Sequence, residues 1–122
     1  QQSVISHLQL NKLLNVIKDS TMKLEITEDY YDIAAEWQYQ MIIILRDTLK
    51  EKGIVGEQAK DIVGDFAFNL SMLHDQGEIK VDGKSYNPRI SFDDFQGKLL
   101  TTDEDTYLHE YAFGNTSEAF GE

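Results

Sequence analysis

The sequence contains no cysteine, which excludes disulfides, thiolate metal sites and cysteine nucleophiles within the chain. This absence fits a reducing compartment, so we expect a cytoplasmic protein. The longest apolar run, residues 41–45, is far shorter than the ~20 residues that a membrane-spanning helix needs. A basic head followed by an apolar stretch, which would indicate a signal peptide, is also absent. The sequence therefore predicts no membrane association.

Basic residues are also scarce, because 11 Lys and Arg face 22 Asp and Glu and give a net charge of −11. Residues 61–122 carry four basic and 13 acidic residues, whereas residues 1–60 carry seven and nine. A field of this sign repels nucleic-acid phosphates and anionic membranes, and it attracts basic proteins. The charge therefore argues against direct nucleic-acid binding. It is explained either by solubility alone or by a basic protein partner.

Apolar residues are nevertheless sufficient for a core, since they make up 41% of the 122 residues. A chain of this length fits one domain, residues 1–122. Its local patterns divide it into a helical part, residues 1–77, and a β-meander with a tail, residues 78–122. We therefore predict an α+β fold in which three N-terminal helices precede a small antiparallel meander of three to four strands.

Three helices are predicted within residues 1–77. The first covers residues 3–19, and its apolar positions spread around the helix, which favours contact with several neighbours or another subunit. The second begins after Thr27 and ends at Gly53, and the third covers residues 57–74. The second helix is predicted to bury one face, formed by Tyr30, Ile33, Ala34, Trp37, Met41, Ile44, Leu45 and Thr48.

The pattern changes to strand alternation in residues 78–101. Asp82–Gly83 predicts a type I′ hairpin turn, and the single proline, Pro88, suits an edge position or a bulge. The tail from residue 103 onward is ambiguous, because its aromatic residues fit strand spacing and its other apolar residues fit a short helix.

The tail also contains the strongest candidate for an interaction surface, since aromatic residues alternate there with acidic ones. Aromatic side chains edged by charge of one sign are typical of interfaces, in which tyrosine is enriched. The alternative is that the aromatic residues form ordinary core. The candidate surface comprises Asp103, Glu104, Asp105, Tyr107, His109, Glu110, Tyr111 and Phe113.

Motifs for metal binding and catalysis are incomplete. The acidic run from Asp103 fails the EF-hand pattern, because Leu108 and Gly114 occupy the glycine and glutamate positions. His109 and Glu110 begin an HExxH pattern that Phe113 breaks. We therefore predict no catalytic residue, no metal site and no cofactor.

Secondary candidates lie on the helices. Asp61 and Asp65 share one face of the third helix and could do acid–base work only with a partner from another element. His74 fits a histidine that interacts with the helix C-terminus. Tyr39 and Ile43 point away from the predicted buried face of the second helix.

These observations give a leading hypothesis and two alternatives. The leading one is an acidic, non-catalytic protein-binding module, such as an inhibitor or immunity-type protein or a mimic of nucleic-acid charge. The first alternative is a structural subunit that forms homo-oligomers through the first helix, Tyr39 and Ile43. The second is a small enzyme or metal-binding protein that uses residues among Asp61, Asp65, His74 and His109.

Overall fold

Two long helices joined by a short turn form the centre of the fold. The computed structural model describes residues 6–11 and 22–122 of the chain. Helix α1 covers Tyr30–Glu51, and helix α2 covers Gly56–Gln76. Gly53 between them has a φ of 82°, which a residue without Cβ adopts easily and which lets the chain reverse.

The buried line of α1 differs from the predicted face. It runs through Tyr30, Ala34, Gln38 and Ile42, whereas Ile44 is exposed. Gln38 lies in the middle of this line because its amide is fully hydrogen-bonded. Its Nε2 donates to the Ser71 hydroxyl and to the Leu108 carbonyl, and its Oε1 accepts from Asn115. Apolar periodicity alone could not reveal a buried polar residue.

The predicted architecture, three N-terminal helices followed by an antiparallel meander, is wrong. Strand β1, Lys23–Ile26, precedes both long helices and pairs in parallel with β5, Lys98–Thr101. Strand β4, Phe92–Asp93, pairs antiparallel with β5, so this sheet is mixed and its order is β1-β5-β4. The sequence predicts no strand before α1, because parallel pairing with a distant strand has no local signal.

The predicted hairpin after the second long helix is confirmed. Strands β2, Ile79–Val81, and β3, Lys84–Tyr86, pair antiparallel around Asp82 and Gly83. Both turn residues have positive φ, 51° and 77°, as a type I′ turn requires. The hairpin nevertheless forms its own two-stranded sheet and does not join β4 and β5.

The helices are not all N-terminal, because the tail is helical as well. A 3₁₀ turn, Leu108–Tyr111, leads into helix α3, Ala112–Ala119, and both pack against the long helices. One core cluster joins Ile42, Val63 and Ala67 to Ala112 and Ala119, and a second joins Tyr30, Ala34 and Leu108. The tail therefore completes the helical layer.

Only part of the predicted first helix can be compared with the structure. Residues 7–11 are helical, whereas residues 3–5 and 12–19 lie outside the described residues. Within the described residues, no helix combines the length and apolar character needed to cross a membrane.

Candidate functional site

Three tyrosines from two distant parts of the sequence meet at one surface, which we call the tyrosine cluster. Tyr31 of α1 stacks on Tyr107, with ring centroids 4.1 Å apart and an angle of 18° between the planes. Tyr111 completes the group at 6.3 Å from Tyr107 and 6.2 Å from Tyr31. Tyr107 remains 42% exposed, so the cluster presents aromatic surface to solvent.

Hydrogen bonds fix the tyrosine cluster in place. The Tyr31 hydroxyl donates to the Asp105 carbonyl and accepts from the Tyr107 backbone N–H, each at 3.0 Å. Burial raises the pKa of Tyr31 and of Tyr111, and in Tyr111 the neighbouring Glu110 and Asp32 act in the same direction. The Tyr31 hydroxyl therefore stays protonated at physiological pH and keeps the hydrogen bond that it donates.

A pocket of about 450 Å³ adjoins the tyrosine cluster, with Tyr31 and Tyr107 among its lining residues. Three carboxylates also line it, and we call Glu28, Asp103 and Glu104 the acidic rim. No basic side chain lines the pocket within the described part of the chain, and no ion pair there involves the rim. Aromatic rings beside unpaired carboxylates make a surface that favours cations.

A buried charged network lies in the fold close to the cluster, and Asp75 is its centre. The Asp75 side chain is 0% exposed. Its Oδ1 lies 2.9 Å from Nδ1 of His74. Its Oδ2 lies 2.5 Å from Nδ1 of His109 and accepts from the His109 backbone N–H at 2.8 Å. One carboxylate thus connects the end of α2 to the 3₁₀ turn.

Tyr30 joins this network to α1 and to the segment that precedes strand β4. Its hydroxyl donates to the Ile90 carbonyl at 2.6 Å and lies 3.3 Å from Nε2 of His74. Its ring meets Tyr31 edge-on, with centroids 5.7 Å apart. Burial raises the pKa of Tyr30 to about 12, partly offset by the charge of Arg89.

The protonation of Asp75 follows from its surroundings. Burial alone would raise its pKa, but hydrogen bonds from the backbone and ring of His109, from His74 and from Thr106 outweigh burial. Together they lower the pKa of Asp75 to about 2. The residue is therefore an ionised carboxylate at neutral pH.

The pair of Asp75 and His109 resembles the way in which a carboxylate orients a general-base imidazole. Within the described residues, however, no serine or threonine hydroxyl is hydrogen-bonded to His109. Its ring instead packs edge-on against Phe68, with centroids 5.7 Å apart. The geometry indicates a structural tie between α2 and the 3₁₀ turn.

The sequence-predicted site residues divide between several places. Asp103, Glu104 and Asp105 are exposed in the loop after β5, and Tyr107 and Tyr111 form the tyrosine cluster. Glu110 is exposed, whereas His109 is engaged with Asp75. The structure thus brings most of the predicted interaction surface together.

Phe113 lies apart from this surface, because it belongs to α3 and stacks on Phe68 at 5.5 Å. Asp61 and Asp65 line a separate small cleft of about 210 Å³ with Phe113. His74 is buried in the Asp75 network. Tyr39 and Ile43 are partly buried and pack against the first core cluster.

Sequence reasoning missed Tyr31, Glu28 and Asp75. Tyr31 and Glu28 lie some 75 residues before the tail in the sequence, and only the packing of the 3₁₀ turn against α1 brings them to it. Asp75 follows His74 directly, and this adjacency of two ionisable residues at a helix end was the available signal.

No cluster of three or more His, Asp or Glu side chains suited to a metal ion occurs in residues 6–11 and 22–122. Comparison with known proteins finds no matching family model, no matching curated protein and no matching solved structure.

Proposed function

We propose that this protein is a non-catalytic binding module whose tyrosine cluster and acidic rim receive an arginine-bearing segment of a basic partner protein. The observation that carries the proposal is the stack of Tyr31 and Tyr107 beside carboxylates that have no basic partner among the described residues. A guanidinium group satisfies both features at once, since it stacks on aromatic rings and forms two hydrogen bonds with a carboxylate.

The dimensions and charge of the site support a side chain of a protein partner. A pocket of about 450 Å³ accommodates one or two long side chains and leaves the rest of the partner on the surrounding surface. The net charge of −11 attracts a basic protein over long range and raises its association rate. An inhibitor of a basic protein and a mimic of nucleic-acid charge are both forms of this function.

Fluorescence anisotropy with a labelled glycine–arginine peptide tests the proposal. We expect salt-sensitive binding, and weaker binding of a glycine–lysine peptide of equal charge, because lysine cannot stack in the same way. Tyr107→Ala should weaken binding about tenfold, since a cation–π contact contributes ~1 kcal/mol or more.

A matched pair of double variants distinguishes an effect of the proposed site on peptide binding from an effect of the net charge. Asp103→Asn with Glu104→Gln removes two charges from the acidic rim, and Asp61→Asn with Asp65→Asn removes two from the separate cleft. The first pair should weaken peptide binding clearly more than the second. Equal losses would show that only the net charge matters, and the proposed site would then be wrong.

A further inference from the structure

We propose that strand β1 pairs with β1 of a second copy of this chain, in an antiparallel, two-fold arrangement centred on Leu24. This pairing would join two three-stranded sheets into one six-stranded sheet. This edge meets the pocket of the proposed cation site at Ile26, but the pairing does not depend on that site.

The outer edge of β1 carries the features of a strand that awaits a partner. The sheet order places β1 at an edge, and within the described residues no other strand pairs with its outer side. All four residues of β1 are exposed, including Leu24 at 68% and Ile26 at 58%. An edge strand with exposed apolar side chains and free backbone groups is a template for pairing with another chain.

The existing hydrogen bonds determine which backbone groups face outward. The N–H groups of Lys23 and Thr27 donate to the Gly97 and Thr101 carbonyls of the β5 side, each at 3.0 Å. Since N–H groups alternate in direction along a strand, those of Leu24 and Ile26 point to the outer edge. Two copies can exchange hydrogen bonds only where outward-facing residues stand opposite each other.

This condition leaves few two-fold registers, and charge selects one of them. A register centred on Leu24 places Lys23 opposite Glu25 of the second copy, and Met22 opposite Ile26. A register centred on Glu25 places the two Glu25 carboxylates opposite each other, which is destabilising. A register centred on Ile26 places Glu25 opposite Thr27, and the position opposite Lys23 is then Asp29, in the turn beyond the strand. Within β1, only the Leu24 register pairs opposite charges twice.

The side chains of the existing sheet extend the same pattern. Glu25 already forms an ion pair with Lys98 of β5 at 3.0 Å, so Lys23 of the second copy would continue a row of alternating charges. On the opposite face, Leu24 lies beside Leu99 in the parallel register. Leu24 of the second copy would therefore extend an apolar row across the junction.

Charge variants test the register by sedimentation velocity over a range of protein concentrations. We expect a weak dimer of the unmodified chain, because one strand pair is smaller than the standard interface of ~1,600 Å². Salt of about 0.3 M limits repulsion between two chains of net charge −11. Lys23→Glu alone and Glu25→Lys alone should each weaken dimerisation at least tenfold, because each sets like charges opposite each other.

A mixture of the two variants provides the decisive comparison. In a mixed dimer, residues 23 and 25 of the two chains again carry opposite charges, so the mixture should form dimers far better than either variant alone. Lys80→Glu, an equal change on the exposed strand β2, should leave dimerisation unchanged. A monomer at all concentrations, or a mixture that fails to recover, would overturn the proposal.

A cross-linking experiment tests the same register independently. The chain has no cysteine, so Leu24→Cys introduces a single thiol. Opposite residues of a hydrogen-bonded pair have Cα atoms about 5.5 Å apart, which a disulfide can bridge. Mild oxidation should give a disulfide-linked dimer for Leu24→Cys and much less for Val81→Cys, an exposed position in β2. Equal cross-linking of the two variants would contradict the pairing.

Discussion

The substitution Asp75→Asn tests a carboxylate whose side chain is fully buried. The side chain is 0% exposed and accepts hydrogen bonds from two histidines and from the His109 backbone. Asparagine keeps its shape but replaces one acceptor oxygen with an amide NH₂ donor. The facing histidine ring must then present an unprotonated nitrogen to the NH₂ group, and the neutral amide oxygen accepts the remaining hydrogen bonds more weakly than a carboxylate does.

The expected magnitude follows from the pKa of Asp75. Its value falls from 3.8 to about 2 in the folded protein, and each pKa unit corresponds to ~1.4 kcal/mol. The ionised carboxylate therefore contributes about 2 kcal/mol to the free energy of unfolding. Because the pKa of Asp75 is lower in the folded than in the unfolded protein, this contribution is fully present at pH values above the unfolded pKa of 3.8. It is lost as the pH falls from about 4 to 2.

Urea denaturation of both proteins from pH 7 to pH 2.5 measures this dependence, with Asp61→Asn as control. We expect Asp75→Asn to lower the free energy of unfolding by about 2 kcal/mol at pH 7, and the difference to shrink steadily below pH 4. Asp61 is exposed on the same helix, so its substitution should change stability by less than ~0.5 kcal/mol. An Asp75→Asn protein as stable as the original at pH 7, or a difference that does not depend on pH, would refute the reasoning.

Three further substitutions test other parts of the core by thermal or urea denaturation. Tyr30→Phe removes the hydroxyl that donates to the Ile90 carbonyl and should cost ~1–2 kcal/mol. Since burial raises the pKa of Tyr30 to about 12, the original protein should lose stability as the pH rises from 10 to 12, and the variant should lose less. Gln38→Leu leaves the Leu108 carbonyl without its buried donor and should cost ~2–4 kcal/mol; a stability change near zero would show that the network does not stabilise the core. Gly64→Ala places a Cβ 3.3 Å from the Phe113 ring, which is exposed enough to shift, so we expect a gain of up to ~1 kcal/mol from helix propensity. A loss of stability would show that Phe113 cannot move.

The elements that the sequence predicted well are those with local signals. The hairpin follows from Asp82–Gly83, and the long helices follow from apolar periodicity and from the glycines at their ends. The parallel pairing of β1 with β5 could not be predicted in this way. It joins Lys23 to Lys98 across the whole helical hairpin, and the pairing energy lies in contacts that a single sequence does not display.

The candidate site was predictable to a similar extent. Alternation of acidic and aromatic residues from Asp103 to Tyr111 indicated a surface, and the structure places most of these residues together. The third aromatic ring, Tyr31, comes from α1 and required knowledge of the tertiary packing. Phe113 illustrates the opposite error, because helix α3 turns it toward Phe68 and away from the other rings.

The buried network and the tyrosine cluster are connected through one short segment of chain. His109 is held by Asp75, and the Leu108 carbonyl is held by Gln38, whereas Tyr107 and Tyr111 on either side face outward. Apart from those of the Tyr31 hydroxyl, the bonds that fix this backbone are therefore separate from the rings available to a partner. It follows that Tyr107→Ala should weaken peptide binding with little change in stability. Asp75→Asn should lower stability and also weaken binding, because one of the two buried attachments of the segment that carries Tyr107 and Tyr111 would be weakened. Unchanged peptide binding by Asp75→Asn, measured where the variant is folded, would show that the network does not position the site.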